Sequence, residues 1–336
     1  MKLKIWLGVV ISGFFIWLTF REIDYGALWM AMKRADYLYL LPTVILTIIL
    51  FYFRSLRWGN ILEPIKKIGI YSLFSATSIG YMANNILPAR IGEFARAYAI
   101  GKEEEISVSA SFATIVIERI LDLLAVFILL FVVLNIISFP AENIEFEQLM
   151  RKGGTIAILV FICMIAFLYF FQKNTDFFKK IVFSIVKPYS KKVAIKLLKL
   201  MNSFASGFSV LQKGSHIIRI IIYSVVIWFL SAIPIHWILL SFGHELPLSI
   251  SFFILVLIGF AVSVPSAPGY VGTFHFACSK GLELFNIPGE EALSVAIVLH
   301  AVNFFPITII GAFFLWKDNI SLKEAEELEE KGEEAI

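Results

Sequence analysis

The sequence contains few charged residues. Asp, Glu, Lys and Arg together make up 16% of its 336 residues, whereas hydrophobic residues make up 59% and the mean hydropathy is +0.84. This composition excludes a soluble globular protein and indicates an all-α integral membrane protein. The net charge of +3 is too small to suggest a nucleic-acid partner.

The sequence also lacks the residue patterns of most enzymes. Its two cysteines, Cys163 and Cys278, both lie in apolar runs, so we expect free thiols and no disulfide framework. The five histidines form no metal-ligand spacing with cysteines or carboxylates. No H-E-x-x-H, G-x-S-x-G, phosphate loop or dinucleotide fingerprint is present. We therefore predict no catalytic residue, no metal and no cofactor.

Six apolar segments have about the length of a membrane crossing. They lie at about 5–20, 38–53, 106–139, 155–172, 216–242 and 291–316, and one helical crossing requires roughly 20 residues. The first follows two lysines, as in a signal peptide, but no small-residue cleavage site comes after it. We expect it to be a retained span.

Two further regions, 70–100 and 250–285, each consist of two short apolar pieces joined at proline and glycine. This pattern is typical of a helical hairpin that enters the membrane and turns back. The two regions also align with each other. The matched positions are Pro88 with Pro268, Gly92 with Gly272, and Phe94 with Phe274. A chance match between apolar segments is the alternative.

Three crossings separate the two hairpins, so the second hairpin enters from the opposite face. The sequence therefore predicts an inverted repeat, an arrangement common among transporters. The predicted fold has six crossings plus two re-entrant hairpins, about eight spans in total. One membrane domain covers 1–316, with halves at about 38–139 and 216–316, and 317–336 forms an acidic cytoplasmic tail.

The charge distribution predicts the sidedness. The 173–215 loop carries nine lysines and one aspartate, so the positive-inside rule places it in the cytoplasm of an inner-membrane protein. Counting crossings outward from it places both termini in the cytoplasm. Apolar stripes at 177–186 and 193–201 suggest amphipathic helices on the inner leaflet; two helices packed on the bundle are the alternative.

The run N-N-I-L-P-A-R-I-G-E-F-A-R interrupts the first hairpin with proline, glycine and polar groups. Non-helical backbone survives at this depth only where protein covers it or water reaches it, so we expect a break facing a polar cavity. The candidate binding residues in this run are Asn84, Asn85, Arg90, Glu93 and Arg96.

Glu118, Arg119 and Asp122 lie well inside the 106–139 span. If all three side chains faced lipid, the free-energy cost of inserting them into the membrane would be roughly 7–10 kcal/mol, so they must face the protein interior. An internal ion-pair network that joins this helix to the broken one is one interpretation. The other is that an arginine remains available for an anionic ligand, since its planar guanidinium group binds phosphate through two nitrogens.

The second hairpin carries fewer charges. Pro268, Gly269 and Gly272 predict an unwound segment, and His275 is its one ionisable group. His300 and Asn303, three residues apart on the last span, are candidates to line the same cavity. The alternative is that these histidines are buried in the protein core, where they form hydrogen bonds and bind no ligand. Lys280 and Glu283 are expected to pair near the membrane surface.

Three motifs resemble one known family. The run N-I-L-P-A-R-I-G-E-F-A-R from Asn85, the E-R-x-x-D-L pattern from Glu118 and the late P-G-x-x-G-x-F are similar to the lysylphosphatidylglycerol synthase transmembrane family, over roughly 5–316. The resemblance implies a flippase-like domain that moves a polar or aminoacylated lipid between leaflets. It implies site roles for Arg90, Glu93, Arg96, Glu118, Arg119, Asp122, Pro268, Gly269 and Gly272.

Two departures qualify this resemblance. Tyr270 and His275 stand where the family often has glycine and glutamate, so the lipid need not be the same cationic one. About 20 residues follow Trp316, too few for a synthetase domain, so we expect no lysine transfer by this chain.

The sequence therefore predicts translocation of a polar or anionic lipid, or a lipid-linked precursor, with Arg90 and Arg96 on the headgroup phosphate. One alternative is a membrane-embedded transferase or hydrolase acting on a lipid phosphate, with Glu93 or Glu118 as base. The other is an accessory subunit of a membrane glycosyltransferase.

The predicted sidedness has a direct test with single cysteines in a variant that lacks the two native ones. We expect Lys67→Cys and Lys102→Cys to react with an impermeant thiol reagent only from the cytoplasm. Glu245→Cys and Asn286→Cys should react only from outside. Labelling of positions 67 and 245 from the same face would contradict the inverted topology.

Overall fold

The computed structural model describes residues 2–87, 91–140, 144–188, 214–264 and 266–322, with a few positions between 190 and 198 and position 324. Every regular element within these residues is a helix. The predicted break at 88–90, which includes Arg90, the second amphipathic stripe after 195 and most of the acidic tail lie outside them.

The helices fall into an entry segment, two groups of four and a connecting pair. The entry segment has α1 (Lys2–Phe20) and α2 (Tyr25–Arg34). The first group comprises α3 (Leu40–Leu62), α4 (Ile70–Ile86), α5 (Gly92–Glu104) and α6 (Val108–Ile136). The connection has α7 (Ile144–Lys173) and α8 (Thr175–Val186). The second group comprises α9 (Gly214–Ser241), α10 (Leu248–Ala261), α11 (Thr273–Glu283) and α12 (Gly289–Lys317).

Helix length and composition confirm the membrane class. Three described segments are long and apolar enough to cross a bilayer: Tyr37–Leu62, His216–Ser241 and Gly289–Lys317. Their outward faces carry exposed large apolar side chains, such as Ile45, Val225 and Ile309. Exposing such apolar faces to water would be unfavourable, whereas contact with lipid is not, so the protein is an all-α membrane protein.

The two predicted broken regions are pairs of short helices. The helices α4 and α5 have 17 and 13 residues, and α10 and α11 have 14 and 11. At about 1.5 Å per residue each is shorter than the roughly 30 Å hydrocarbon core. The second pair is joined by a short 3-10 turn at Pro268–Tyr270, where Gly269 has φ +67°.

The short helices occupy the centre of the bundle. Helix α4 packs along α12 and α10 packs against α6, while the long helices α3 and α9 pack along each other. Small polar residues on α4, among them Ser75, Thr77 and Ser78, are buried at these contacts. Small residues let helix backbones approach closely, which replaces the hydrophobic driving force that lipid cannot supply.

Two features differ from the sequence-based expectations. The 21–37 region, which lies between the first two predicted spans and for which no helix was predicted, contains helix α2, which begins at the N-cap Asp24 and packs on α12. Helix α3 continues nine residues beyond the apolar run that ends at 53. Its last two turns therefore carry Arg54 and Arg57 into the bundle.

The crossing of α4 and α5 depends on two glycines. A Cβ on Gly80 would lie 2.8 Å from the carbonyl oxygen of Gly92, and a Cβ on Gly92 would collide with the carbonyl oxygen of Gly80. Both contacts involve backbone, which cannot move aside without opening the hairpin.

We expect Gly92→Ala to lower the free energy of unfolding by about 1–3 kcal/mol through this overpacking. The matched control is Gly13→Ala, because no atom lies within 4 Å of a Cβ at Gly13. Thermal unfolding in detergent compares the two. A Gly92→Ala protein as stable as the Gly13→Ala protein would contradict the close crossing.

Candidate functional site

The charged residues of α6 form the centre of a buried ion-pair cluster. The side chain of Glu118 has no exposed surface, and its Oε1 lies near one nitrogen from each of three arginines. The distances are 3.1 Å to Arg96 Nη1, 3.1 Å to Arg119 Nη2 and 3.4 Å to Arg57 Nη2. These arginines lie on α5, α6 and α3, so one carboxylate joins three helices.

Asp122, one turn further along α6, extends the cluster. Its Oδ1 lies 2.7 Å from Arg57 Nη1 and its Oδ2 lies 3.3 Å from Arg119 Nη1. Arg57 also donates to Ser224 on α9 at 3.2 Å. The ion-pair network expected from the spacing of Glu118, Arg119 and Asp122 is therefore present, and it reaches the second group of helices.

Arg96 is enclosed by the cluster. Its guanidinium carbon lies 3.8 Å from the ring centroid of Trp58, and the residue is only 2% exposed. Trp58 is itself held by a 3.0 Å hydrogen bond to Thr114 on α6. Arg96 therefore stabilises the contact between α3, α5 and α6 and presents no free face.

Arg119 and Arg54 are more accessible. The side chain of Arg119 is 37% exposed although two of its nitrogens bind carboxylates. Arg54 donates to the Tyr81 hydroxyl at 2.9 Å, and Arg119 donates to the same oxygen at 3.3 Å. Tyr81 thus connects the cluster to a second arginine that belongs to no ion pair among the described residues.

A cavity of about 200 Å³ lies between the two groups of helices, next to Tyr81. We call it the central cavity. Its polar lining comes from α3, α4, α9, α12 and the 3-10 turn, and its remaining walls are mostly apolar. The polar lining residues are Arg54, Tyr81, Asn85, Ser231, Tyr270, His300 and Asn303. Arg54 is the one permanently charged side chain among the described lining residues.

The two broken regions meet at this cavity. Asn85 at the end of α4 donates to Thr308 on α12 at 2.8 Å. A Cβ on Gly269 would lie 3.2 Å from the Asn85 carbonyl oxygen, so the end of α4 lies against the 3-10 turn. His300 Nε2 lies 2.7 Å from the carbonyl oxygen of Gly269, which fixes the 3-10 turn to α12.

Several of the sequence-predicted residues outside the ion-pair cluster lie at or near this cavity. Asn85, Gly269, His300 and Asn303 line it. Asn84 caps α5 by accepting from the Gly92 nitrogen at 2.8 Å, and the His275 ring lies 4.7 Å from that of His300.

The remaining predicted positions lie at helix ends. Gly272, with φ +92°, precedes α11 and packs against α1. Pro268 begins the 3-10 turn. Glu93 is in the first turn of α5 and interacts electrostatically with Arg119.

Sequence analysis did not assign Arg54, Arg57 or Tyr81 to the site. The two arginines follow the apolar segment at 38–53, so that segment alone does not predict that they lie within a span. The signal that identifies them is helix length: a crossing of about 20 residues that begins at Leu40 must continue past both.

The surplus of positive charge is the chemically informative feature. Arg57, Arg96 and Arg119 face the carboxylates of Glu93, Glu118 and Asp122, and these described charges balance. Arg54, which is joined to the cluster only through Tyr81, adds one further cation. Arginine stays charged in such surroundings and binds phosphate or carboxylate with two nitrogens.

We expect Glu118→Gln to lower the free energy of unfolding by about 3–5 kcal/mol, because three buried arginines lose their shared counter-ion. Asp176→Asn is the control, since Asp176 pairs with Lys179 on an exposed surface and should change the unfolding temperature little. Thermal unfolding in detergent measures both. Equal stability of the two variants would show that the cluster does not hold the helices together.

Comparison with known proteins places this geometry in a family. The lysylphosphatidylglycerol synthase TM region matches residues 5–311. A UPF0104 membrane protein of Methanocaldococcus jannaschii is 28% identical over 72% of this chain and 96% of its own length. A UPF0104 membrane protein of Methanothermobacter thermautotrophicus is 22% identical over 84% of this chain and 86% of its own length.

A longer relative is the glycosyltransferase AglD of Haloferax volcanii, 22% identical over 97% of this chain but only 56% of its own length. No solved structure matches the chain. Because the family match covers nearly the whole sequence, as the three motifs led us to expect, this chain belongs to the lysylphosphatidylglycerol synthase TM region family.

Proposed function

We propose that this protein translocates an anionic or polar lipid, or a lipid-linked precursor, between the leaflets of the cytoplasmic membrane. One observation carries the proposal: the cavity between the two groups of helices is lined by Arg54, which has no ion-pair partner among the described residues and lies beside an ion-pair cluster whose described charges already balance. An intramembrane cation without a counter-ion favours an anionic ligand.

A lipid phosphate fits this cavity because of how the arginines are held. Arg54 is held by the Tyr81 hydroxyl, which also accepts from Arg119, so its remaining nitrogens are oriented before a ligand arrives. Preorganised donors lose little entropy on binding. In the empty state Glu93, Glu118 and Asp122 neutralise most of the positive charge. We assign the phosphate to Arg54, since Arg119 does not line the cavity and Arg96 is enclosed against Trp58.

The neutral polar residues of the cavity suit the rest of a headgroup. Asn85, His300 and Asn303 lie on the α4 and α12 side, and each offers an amide or imidazole group. Such groups bind hydroxyls or amines without adding charge. A polar headgroup held between Arg54 and this side would be shielded from the hydrocarbon on both sides.

The inverted repeat belongs to the same proposal. Two observations support it: both groups have the helix order long, short, short, long, and α4 packs on α12 as α10 packs on α6. The proposed topology has six crossings plus two hairpins in one domain at 1–316, with both termini in the cytoplasm, and the lysine-rich loop supports this orientation. Rocking of one half against the other would then expose the cavity to either leaflet.

The relatives favour a lipid substrate of one of two kinds. The family takes its name from a synthase of a lipid, lysylphosphatidylglycerol. One relative is a glycosyltransferase, in which the matching region makes up 56% of the chain. A lipid-linked sugar or a role as glycosyltransferase subunit therefore remains the second candidate.

A membrane enzyme acting on a lipid phosphate is the third candidate, and one contact favours a particular residue for it. The Tyr81 hydroxyl accepts from two arginines and faces the cavity, so it is placed to act as nucleophile or base. Glu118 is less suitable as the base, because three arginines surround it and it has no exposed surface.

Reconstitution in liposomes tests translocation. We expect purified protein to speed exposure of a labelled anionic phospholipid to an external quencher, with the lipid unchanged by mass spectrometry. Arg54→Gln should slow exposure about tenfold or more, since a hydrogen bond to a charged group contributes about 1.5–3 kcal/mol. Arg54→Lys should recover part of the rate, because it keeps the positive charge. Recovery should be incomplete, because lysine lacks the planar guanidinium group that binds phosphate through two nitrogens.

Arg151→Gln is the matched control, since Arg151 forms a partly exposed pair with Glu147 at the start of α7, away from the cavity. Equal rates for Arg54→Gln and Arg151→Gln would remove the cavity from the pathway. A covalently altered lipid formed by the wild type and lost in Tyr81→Phe would favour the enzyme instead.

A further inference from the structure

A second, larger cavity opens on the outside of the second hairpin. It has a volume of about 680 Å³ and lies between α1, α10 and α11. No residue that lines it also lines the central cavity. Its walls are mainly apolar, with Phe15 from α1, Phe260 and Val264 from the α10 side, and Phe276 from α11. We call this cavity the lateral groove.

The wall that α1 forms is firmly attached. The rings of Phe15 and Phe276 are 5.0 Å apart. Ser12 accepts a 2.7 Å hydrogen bond from the Ala267 nitrogen, and a Cβ on Gly272 would lie 2.6 Å from the Ser12 carbonyl oxygen. Helix α1 is thus fixed to the broken segment, so the lateral groove is a built feature of the fold.

The lateral groove has one deep apolar end and one charged end. Val264 and Thr273 flank the turn of the hairpin, whereas Lys280 and Glu283 lie in the last turn of α11. A Cβ on Gly289, where the membrane-spanning α12 begins, would lie 3.5 Å from Glu283 Oε1. The charged end therefore lies at the membrane surface.

The depth of the lateral groove matches one leaflet. Helix α11 has 11 residues, which at about 1.5 Å per residue is about 16 Å, or half of a hydrocarbon core of roughly 30 Å. The volume of the groove falls in the range of about 300–1,000 Å³ that is typical of small-molecule sites. An acyl chain that enters at the surface would end near the hairpin turn.

The charged end selects among headgroups. Lys280 Nζ lies 2.9 and 2.7 Å from the two carboxylate oxygens of Glu283, so the pair is neutral overall and presents one cation and one anion. A headgroup with a single negative charge would approach Glu283 as well as Lys280. A phosphoethanolamine group places its phosphate on Lys280 and its ammonium on Glu283, and the ammonium can donate hydrogen bonds that a quaternary choline cannot.

We propose that the lateral groove binds one phospholipid with a phosphoethanolamine headgroup, whose acyl chain lies along Phe276 and whose headgroup contacts Lys280 and Glu283. This site is separate from the central cavity and does not depend on the proposed translocation.

Photo-crosslinking in vesicles tests the site. The probe is a phosphatidylethanolamine with a diazirine on its acyl chain, present as a minor component of phosphatidylglycerol vesicles, and the adducts are mapped by mass spectrometry. We expect adducts on 257–264 and 273–277 to exceed those around Ile309, a lipid-facing residue of α12 that is 66% exposed, by several-fold. A phosphatidylcholine probe with the same acyl chain should label the groove several-fold less.

Two kinds of variant separate the acyl and headgroup contacts. Ala277→Trp fills the lateral groove and should abolish the excess labelling, whereas Ile309→Trp should leave it unchanged. Lys280→Gln, a change at the surface that should leave the fold intact, should reduce phosphatidylethanolamine labelling to the phosphatidylcholine level.

Two results would overturn the proposal. The first is equal labelling of the groove and of Ile309, and the second is equal labelling by the two headgroups in the wild type. Liposomes that retain wild-type lipid exposure while losing groove labelling would show that the two sites are independent.

Discussion

The carboxylate of Glu118 is the interaction on which the rest of the structure depends. It is wholly buried and binds arginines from α3, α5 and α6. Three cations without this anion would be prohibitively costly inside a bilayer, and one carboxylate without the arginines would be costly as well. The three helices can therefore pack as they do only when all four groups are in place, and the first hairpin is fixed to the long helices on either side of it.

This constraint decides which cations remain for a ligand. Arg96 and Arg57 are used to hold helices: Arg96 stacks on Trp58, and Arg57 binds both carboxylates of α6. Arg119 is shared between the cluster and Tyr81, and Arg54 contacts only Tyr81 among the described polar groups. The unpaired positive charge thus lies at the central cavity, where Asn85 at the end of α4 lies against Gly269 of the 3-10 turn. A phosphate in that cavity would complete the charge balance that the protein alone leaves open.

Much of this arrangement follows from the sequence, because charges and helix breaks inside apolar runs are costly and must be compensated. The spacing of Glu118, Arg119 and Asp122 predicted their shared face, and the proline and glycine positions predicted the two pairs of short helices. Asn85, His300 and Asn303 were expected at one cavity and lie there. The partners of Glu118 were harder to predict, since Arg57 lies 61 positions away in the chain. Sequence spacing predicts contacts within a helix, whereas the stacking of Arg96 on Trp58 depends on how three helices cross.

The central claim is that the cavity beside Tyr81 holds the phosphate of a lipid. Electron cryomicroscopy of the protein in nanodiscs that contain an anionic phospholipid tests it most directly. We expect headgroup density in that cavity, with the phosphate within hydrogen-bond distance of Arg54 and the density lost in Arg54→Gln. A cavity in the wild-type map that holds only water or side chains, with lipid density confined to the outer surface of the bundle, would contradict it.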